Sequence, residues 1–194
     1  MTADRPGATC DDPQVSAISA RLHHGLVPVP DGTDTSVVGV WHRTFPLTAG
    51  VVDDRAVQAM TNGQCLALAA ALNHRTGWPI VALMNYPYED FEEPGYEPNR
   101  DDQMTHLGVL SPDGKTFVDI CGARPVDDVV ASYRRAFYGE QADSDTFGIQ
   151  IVDAAWLEFM LQDPKMRRPA MQVAVTFVDA VLATVPALSC SSRC

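Results

Sequence analysis

The chain has 194 residues, 46% of them hydrophobic and 20% charged, with a formal net charge of −11. That length and mix suit a globular protein whose core needs no staples, and they exclude long disorder. The acidity speaks against a nucleic-acid partner, because Lys and Arg drive phosphate binding, and with no long apolar run or signal-like start the expectation is a cytoplasmic protein with no membrane partner.

In chain order, residues 1–35 carry the turn formers Pro28, Pro30, Asp31 and Gly32 and read as a loosely structured N-terminal arm, with one short helical possibility from Pro13 to His24. Residues 36–194 read as a single domain. Ser36 to Phe45 is rich in Val and aromatics and predicts one strand. A helix starts at Asp53 or Asp54 and is interrupted at Asn62-Gly63; a second run from Cys65 is apolar on every side, as befits a helix inside a core. Gly77 and Pro79 end it. Ile80 to Met84 predicts a buried strand, followed by a long loop, Asn85 to Gln103, with Tyr86, Tyr88, Phe91 and Tyr96 among Glu89, Asp90, Glu92, Glu93 and Glu97.

Thr105 to Leu110 and Thr116 to Cys121 predict a hairpin around the turn signal Ser-Pro-Asp-Gly-Lys. Helices are expected over Val126 to Tyr138, Asp153 to Leu161 and Ala170 to Val185. His23 and His24 read as solvated, whereas Trp41, Trp78 and Trp156 read as core or near-core. Lys165, Arg167 and Arg168 read as a solvated turn.

Five cysteines, an odd number, leave at least one thiol free. No metal-ligand spacing such as C-x-x-C or H-E-x-x-H occurs, so neither metal nor cofactor is expected.

Cys65 lies in the first turn of its helix, where unpaired N–H groups and the helix dipole favour a thiolate. Taken alone it also reads as a small buried hydrophobe. His106 begins a strand after a long loop, a place for a general base. Asp119 stands between Val118 and Ile120 in an apolar strand, where a lone carboxylate is costly and needs a partner. A four-residue loop, Ser111 to Gly114, sets His106 opposite Asp119 on one sheet face; a three-residue loop, Pro112 to Gly114, sets it opposite Ile120 and turns Asp119 away. With the first register, Asp119 orients the imidazole and His106 activates Cys65.

The stretches NGQCLALAAALNHRTGWPIVAL and THLGVLSPDGKTFVDICG resemble the core of the papain-like and transglutaminase-like cysteine enzymes, in which a cysteine opens a buried helix and a hairpin supplies His and then Asp. The resemblance spans roughly Asn62 to Gly122. It implies an α+β fold, with the buried Cys helix packed on an antiparallel sheet carrying His and Asp and with extra C-terminal helices. It implies a nucleophile at Cys65, a base at His106, an orienting acid at Asp119 and an oxyanion-side glutamine at Gln58 or, preferably, Gln64. Where the transglutaminase-like hairpin has a small residue and then Trp after its His, this chain reads Leu107-Gly108. The expected activity is thiol-dependent amide hydrolysis or acyl transfer, of protease, amidase or deamidase type, on a protein or peptide substrate. The acidic loop suits a basic one. A non-catalytic protein-interaction module keeping the same fold is the alternative.

Overall fold

The computed structural model describes residues 12–85, 103–139, 147–162 and 168–186. Residues 86–102 of the acidic loop, Cys10, Cys190, Cys194, Lys165 and Arg167 lie outside them. Helices and an antiparallel sheet make the fold α+β.

The N-terminal stretch is more ordered than its turn formers suggest. Asp12 caps α1 (Pro13–His23) by accepting from the Gln14 amide at 2.9 Å. Val15 and Ile18, three apart on one helical face, are buried in the main core, and α1 packs on the cysteine helix. Val29 N–H then bonds the Gln172 carbonyl at 2.9 Å. A loose arm is therefore the wrong description for residues 13 onward: apolar spacing found a long-range partner that local composition does not reveal.

The run expected as one strand is a hairpin. β1 (Asp34–Val38) pairs antiparallel with β2 (Thr44–Thr48), and a 3-10 turn over Val40–His42 joins them. Only glycine fits at position 39, where the hairpin meets the chain at Asn62: a Cβ would overlap the Asn62 carbonyl oxygen and the Phe45 ring.

Asp53 caps α2 (Asp54–Thr61), accepting from the amides of Arg55 and Ala56 at 3.0 and 2.9 Å. After Asn62-Gly63 comes α3 (Cys65–Thr76), in which every residue from Leu66 to Asn73 is buried. Gly77 ends it with φ 70°, the left-handed position that favours glycine.

Five strands form the main sheet: β3 (Ile80–Asn85), β4 (Met104–Leu110), β5 (Thr116–Asp119), β6 (Gly122–Pro125) and β7 (Phe147–Ile151), in the order β6-β5-β4-β3-β7, each neighbour antiparallel. Strand alternation sorts its side chains. Ile80, Ala82, Met84, Leu107, Val109 and Val118 join the α3 core, whereas Val81, Leu83, Phe117 and Phe147 form a second cluster with Val129 of α4 (Val126–Tyr138).

Beyond β7, α5 (Ala154–Gln162) buries Trp156 and Leu157. The helix expected over Ala170 to Val185 is segmented into α6 (Met171–Ala174), a 3-10 turn (Val175–Phe177) and α7 (Val178–Leu182). Met171, Val173, Ala174, Phe177, Val178 and Val181 are all buried, so this end belongs to the core around α3.

Candidate active site

The β4–β5 hairpin adopts neither expected register. Val109 pairs with Val118 and Leu110 with Phe117, two residues away from the Leu110–Lys115 pairing expected for a loop of Ser111 to Gly114. Turn chemistry explains the shift. Ser111 N–H bonds the Thr116 carbonyl at 2.9 Å, the Thr116 amide bonds Ser111 Oγ at 2.9 Å, and Asp113 accepts from the Ser111 hydroxyl and the Lys115 amide. The pair Ser111–Thr116 thus closes the loop, with Gly114 at φ 71°. A slip of two preserves the face of every side chain. His106 and Asp119 share a face, on a diagonal rather than directly opposite.

Side-chain length closes that diagonal. His106 Nε2–H donates to Asp119 Oδ2 at 2.9 Å, and both side chains are about 2% exposed. The strand is irregular where this happens: Leu83 pairs with His106 but Met84 with Met104, leaving Thr105 as an extra residue whose hydroxyl bonds the Leu83 carbonyl at 2.9 Å. Such bulges re-aim a neighbouring side chain.

Asp119 is the most heavily hydrogen-bonded group of the site. Besides His106, it accepts from the Cys121 amide at 2.9 Å and from Arg124 Nη2, which lies 3.0 Å from Oδ1 and 2.8 Å from Oδ2. Burial alone would raise its pKa, but the His106 bond, the nearby positive charges of His106 and Arg124 and the Cys121 amide hold the carboxyl below its usual range. Arg124 reaches it from β6, an element absent from the sequence reading. Its short strand GARP lacks an apolar run, so spacing offered no signal; the two-residue connection ahead of Gly122, at φ 88°, is what folds it back.

Around the imidazole, the Tyr133 ring from α4 stacks at 5.8 Å and 16°, and Phe117 lies tilted at 6.1 Å. Burial and the Asp119 charge push the Tyr133 phenol above its ordinary pKa, so the ring stays neutral. For His106, burial pulls the pKa down, yet the bond to Asp119, the Cys65 thiol within hydrogen-bonding influence of the ring, and the charges of both partners raise it to about 9. Nδ1 is the ring nitrogen left over. It is buried without a formed hydrogen bond.

Cys65 opens α3 and is partly exposed, unlike the fully buried histidine. No side chain caps this helix start, which leaves its first amides without a side-chain acceptor. Gln64 fastens the helix start in place. Its Nε2 donates to the Val38 carbonyl at 2.7 Å and its Oε1 accepts from the Ala170 amide at 2.8 Å, with the side chain buried. One amide hydrogen of Gln64 is therefore committed to the hairpin.

Two other sequence expectations change. His23 is half-buried rather than solvated: its ring stacks on His74 at 4.1 Å and bonds the Ser19 carbonyl at 2.7 Å. That pair lines a cavity with Arg75 and Asp179 at the far end of α3, about 14 Å along the helix axis from Cys65. Trp41, expected in or near the core, is 90% exposed, because the hairpin turn points it away from both layers.

Among the described residues no cluster of three or more His, Cys, Asp or Glu is placed to hold a metal, and no helix is long and apolar enough to cross a membrane. No family model matches the chain, no curated protein matches it, and no solved structure matches it.

Proposed function

We propose that this protein is a thiol-dependent amide hydrolase or acyl transferase of the papain-like and transglutaminase-like kind, with Cys65 as nucleophile, His106 as proton carrier and Asp119 as the group that orients and charges the imidazole. The observation that carries this reading is the buried His106–Asp119 pair at 2.9 Å, which leaves Nδ1 without a hydrogen bond, together with the influence of the partly exposed Cys65 thiol on the same ring.

Each step follows from those positions. The sulfur attacks an amide carbonyl as the thiolate, its proton passing to Nδ1 of His106. The uncapped amides at the start of α3, with the remaining N–H of Gln64, donate to the oxyanion. His106, held as imidazolium by Asp119, gives its proton to the leaving amine, and a thioester remains. Water or an amine then attacks the thioester, with His106 taking the proton, and the thiol is released. The substrate is a protein or peptide amide, and the chemistry requires Cys65 to stay a reduced thiol, as a cytoplasmic location would keep it.

Iodoacetamide labelling followed by mass spectrometry of the Cys65 peptide tests this reading. Expected is modification at neutral pH about 10-fold or more faster than Cys121 in the same molecule, reduced to the rate of an ordinary thiol in His106→Ala. Equal rates for both cysteines in the wild type would instead favour the non-catalytic interaction module.

A further inference from the structure

Trp41 has the largest relative exposure of the exposed large hydrophobic residues, at 90%, and its backbone sits at φ 50°, ψ 31°. His42 follows at φ 58°, so two consecutive residues other than glycine occupy the left-handed region. Each such residue costs roughly 1 kcal/mol or more, and Gly or Asn would cost less. Burial offsets none of this for an indole left in water. Folding alone does not account for a tryptophan here.

The turn is also rigidly attached, and its anchor is the segment that leads into Cys65. Gly39 N–H bonds the Arg43 carbonyl at 2.8 Å and Arg43 N–H the Val40 carbonyl at 3.0 Å, which closes the turn on itself. Val40 N–H bonds the Asn62 carbonyl at 2.9 Å, and Gln64 bonds the Val38 carbonyl. The two backbones touch so closely that a Cβ on Gly63 would lie 2.8 Å from Val40 N. Asn62 precedes the nucleophile by three residues, at most about 11 Å of chain.

We infer that Trp41 is a specificity-determining residue of the Cys65 site, presenting its indole to an aromatic or long aliphatic side chain next to the scissile amide of a peptide substrate. This rests on the thiol chemistry proposed above. An exposed aromatic on a strained turn, whose backbone is fastened to the residues leading into the nucleophile, supplies a large contact surface with little entropy left to lose on binding. Its turn neighbours His42 and Arg43 are exposed, and the Arg43 guanidinium lies 5.1 Å over the Phe45 ring. The charge of Arg43 at the turn disfavours a Lys or Arg side chain there.

Peptidyl fluoromethyl ketones carrying Phe, Gly or Lys in the two positions nearest the reactive carbon test this. The thiolate displaces fluoride to leave a thioether, and the second-order labelling rate of Cys65 is read for each probe. Expected is a Phe probe faster than its Gly counterpart by about 10-fold or more in the wild type, a preference that shrinks to below about threefold in Trp41→Ala and is retained in Trp41→Phe. A ratio unchanged in Trp41→Ala overturns the inference, as does a Lys preference that disappears in that variant. Fast iodoacetamide labelling of the wild type without discrimination among the probes overturns it alone. Slow labelling by iodoacetamide and by all three probes overturns it together with the thiol chemistry.

Discussion

His106 and Asp119 bond at 2.9 Å across neighbouring strands although their backbones are offset by two residues in the β4–β5 register. The offset places the carboxylate beside the ring edge, where it also collects Arg124 and the Cys121 amide. Asp119 is thus the hub of the buried polar network, and its hydrogen bond is the largest of the influences that raise the pKa of His106 against the effect of burial.

Substituting Asp119 separates charge from shape. Asp119→Asn keeps the size of the side chain and removes its charge, and the labelling rate of Cys65 is expected to fall about 10-fold, toward that of His106→Ala. Asp119→Ala also strands the donors of His106, Cys121 and Arg124, at a cost of about 3 kcal/mol in unfolding free energy. Arg124 is about one-third exposed, so water recovers part of its loss. Urea denaturation measures the second effect, and a change under about 0.5 kcal/mol would show that the network contributes little.

Stability should depend on pH through the same pair. The folded pKa of His106 lies near 9 against an ordinary 6.5, so its contribution is complete below pH 6.5 and is lost as pH rises through 9. Asp119 is shifted the other way, below its ordinary 3.8; its contribution is present above that value and lost as pH falls through the lowered one. Together they stabilise the fold most between about pH 4 and 6.5. Urea midpoints measured from pH 5 to 9.5 are expected to decline above pH 6.5 in the wild type and to flatten over that range in His106→Gln. An identical decline in both proteins would remove His106 as the cause.

The hairpin turn should show the opposite balance, stability gained where recognition is lost. Trp41→Gly relieves a left-handed tryptophan, although the unfolded chain gains freedom, and a net stabilisation of about 0.5–1 kcal/mol is expected. In a chain of this size that raises the melting temperature by about 2 °C. Calorimetry reads the change directly, and a lower melting temperature would mean that the indole makes a folding contribution its exposure does not suggest.

Local chemistry made much of this fold legible in the chain. Asp53 as a cap, the all-apolar run from Cys65, the left-handed glycine at position 77 and the buried strand from Ile80 each follow from interactions within a few residues, and each lies where spacing predicts it. The isolated acid in an apolar strand was also a sound signal. Asp119 needed partners wherever the turn fell, and they are His106, Arg124 and the Cys121 amide.

What neighbours in sequence could not settle are the pairings between distant segments. Register was decided by Ser111 closing on Thr116; Arg124 arrived on a strand with no apolar pattern; β7 joined the sheet edge beside β3; and Gly39 met Gly63 to hold Trp41 outside the core. The physical reason is common to all four. Caps and periodicities are enforced by atoms a turn or less away, whereas register, strand order and close backbone approach depend on the packing of the whole chain, to which no short window of residues is sensitive.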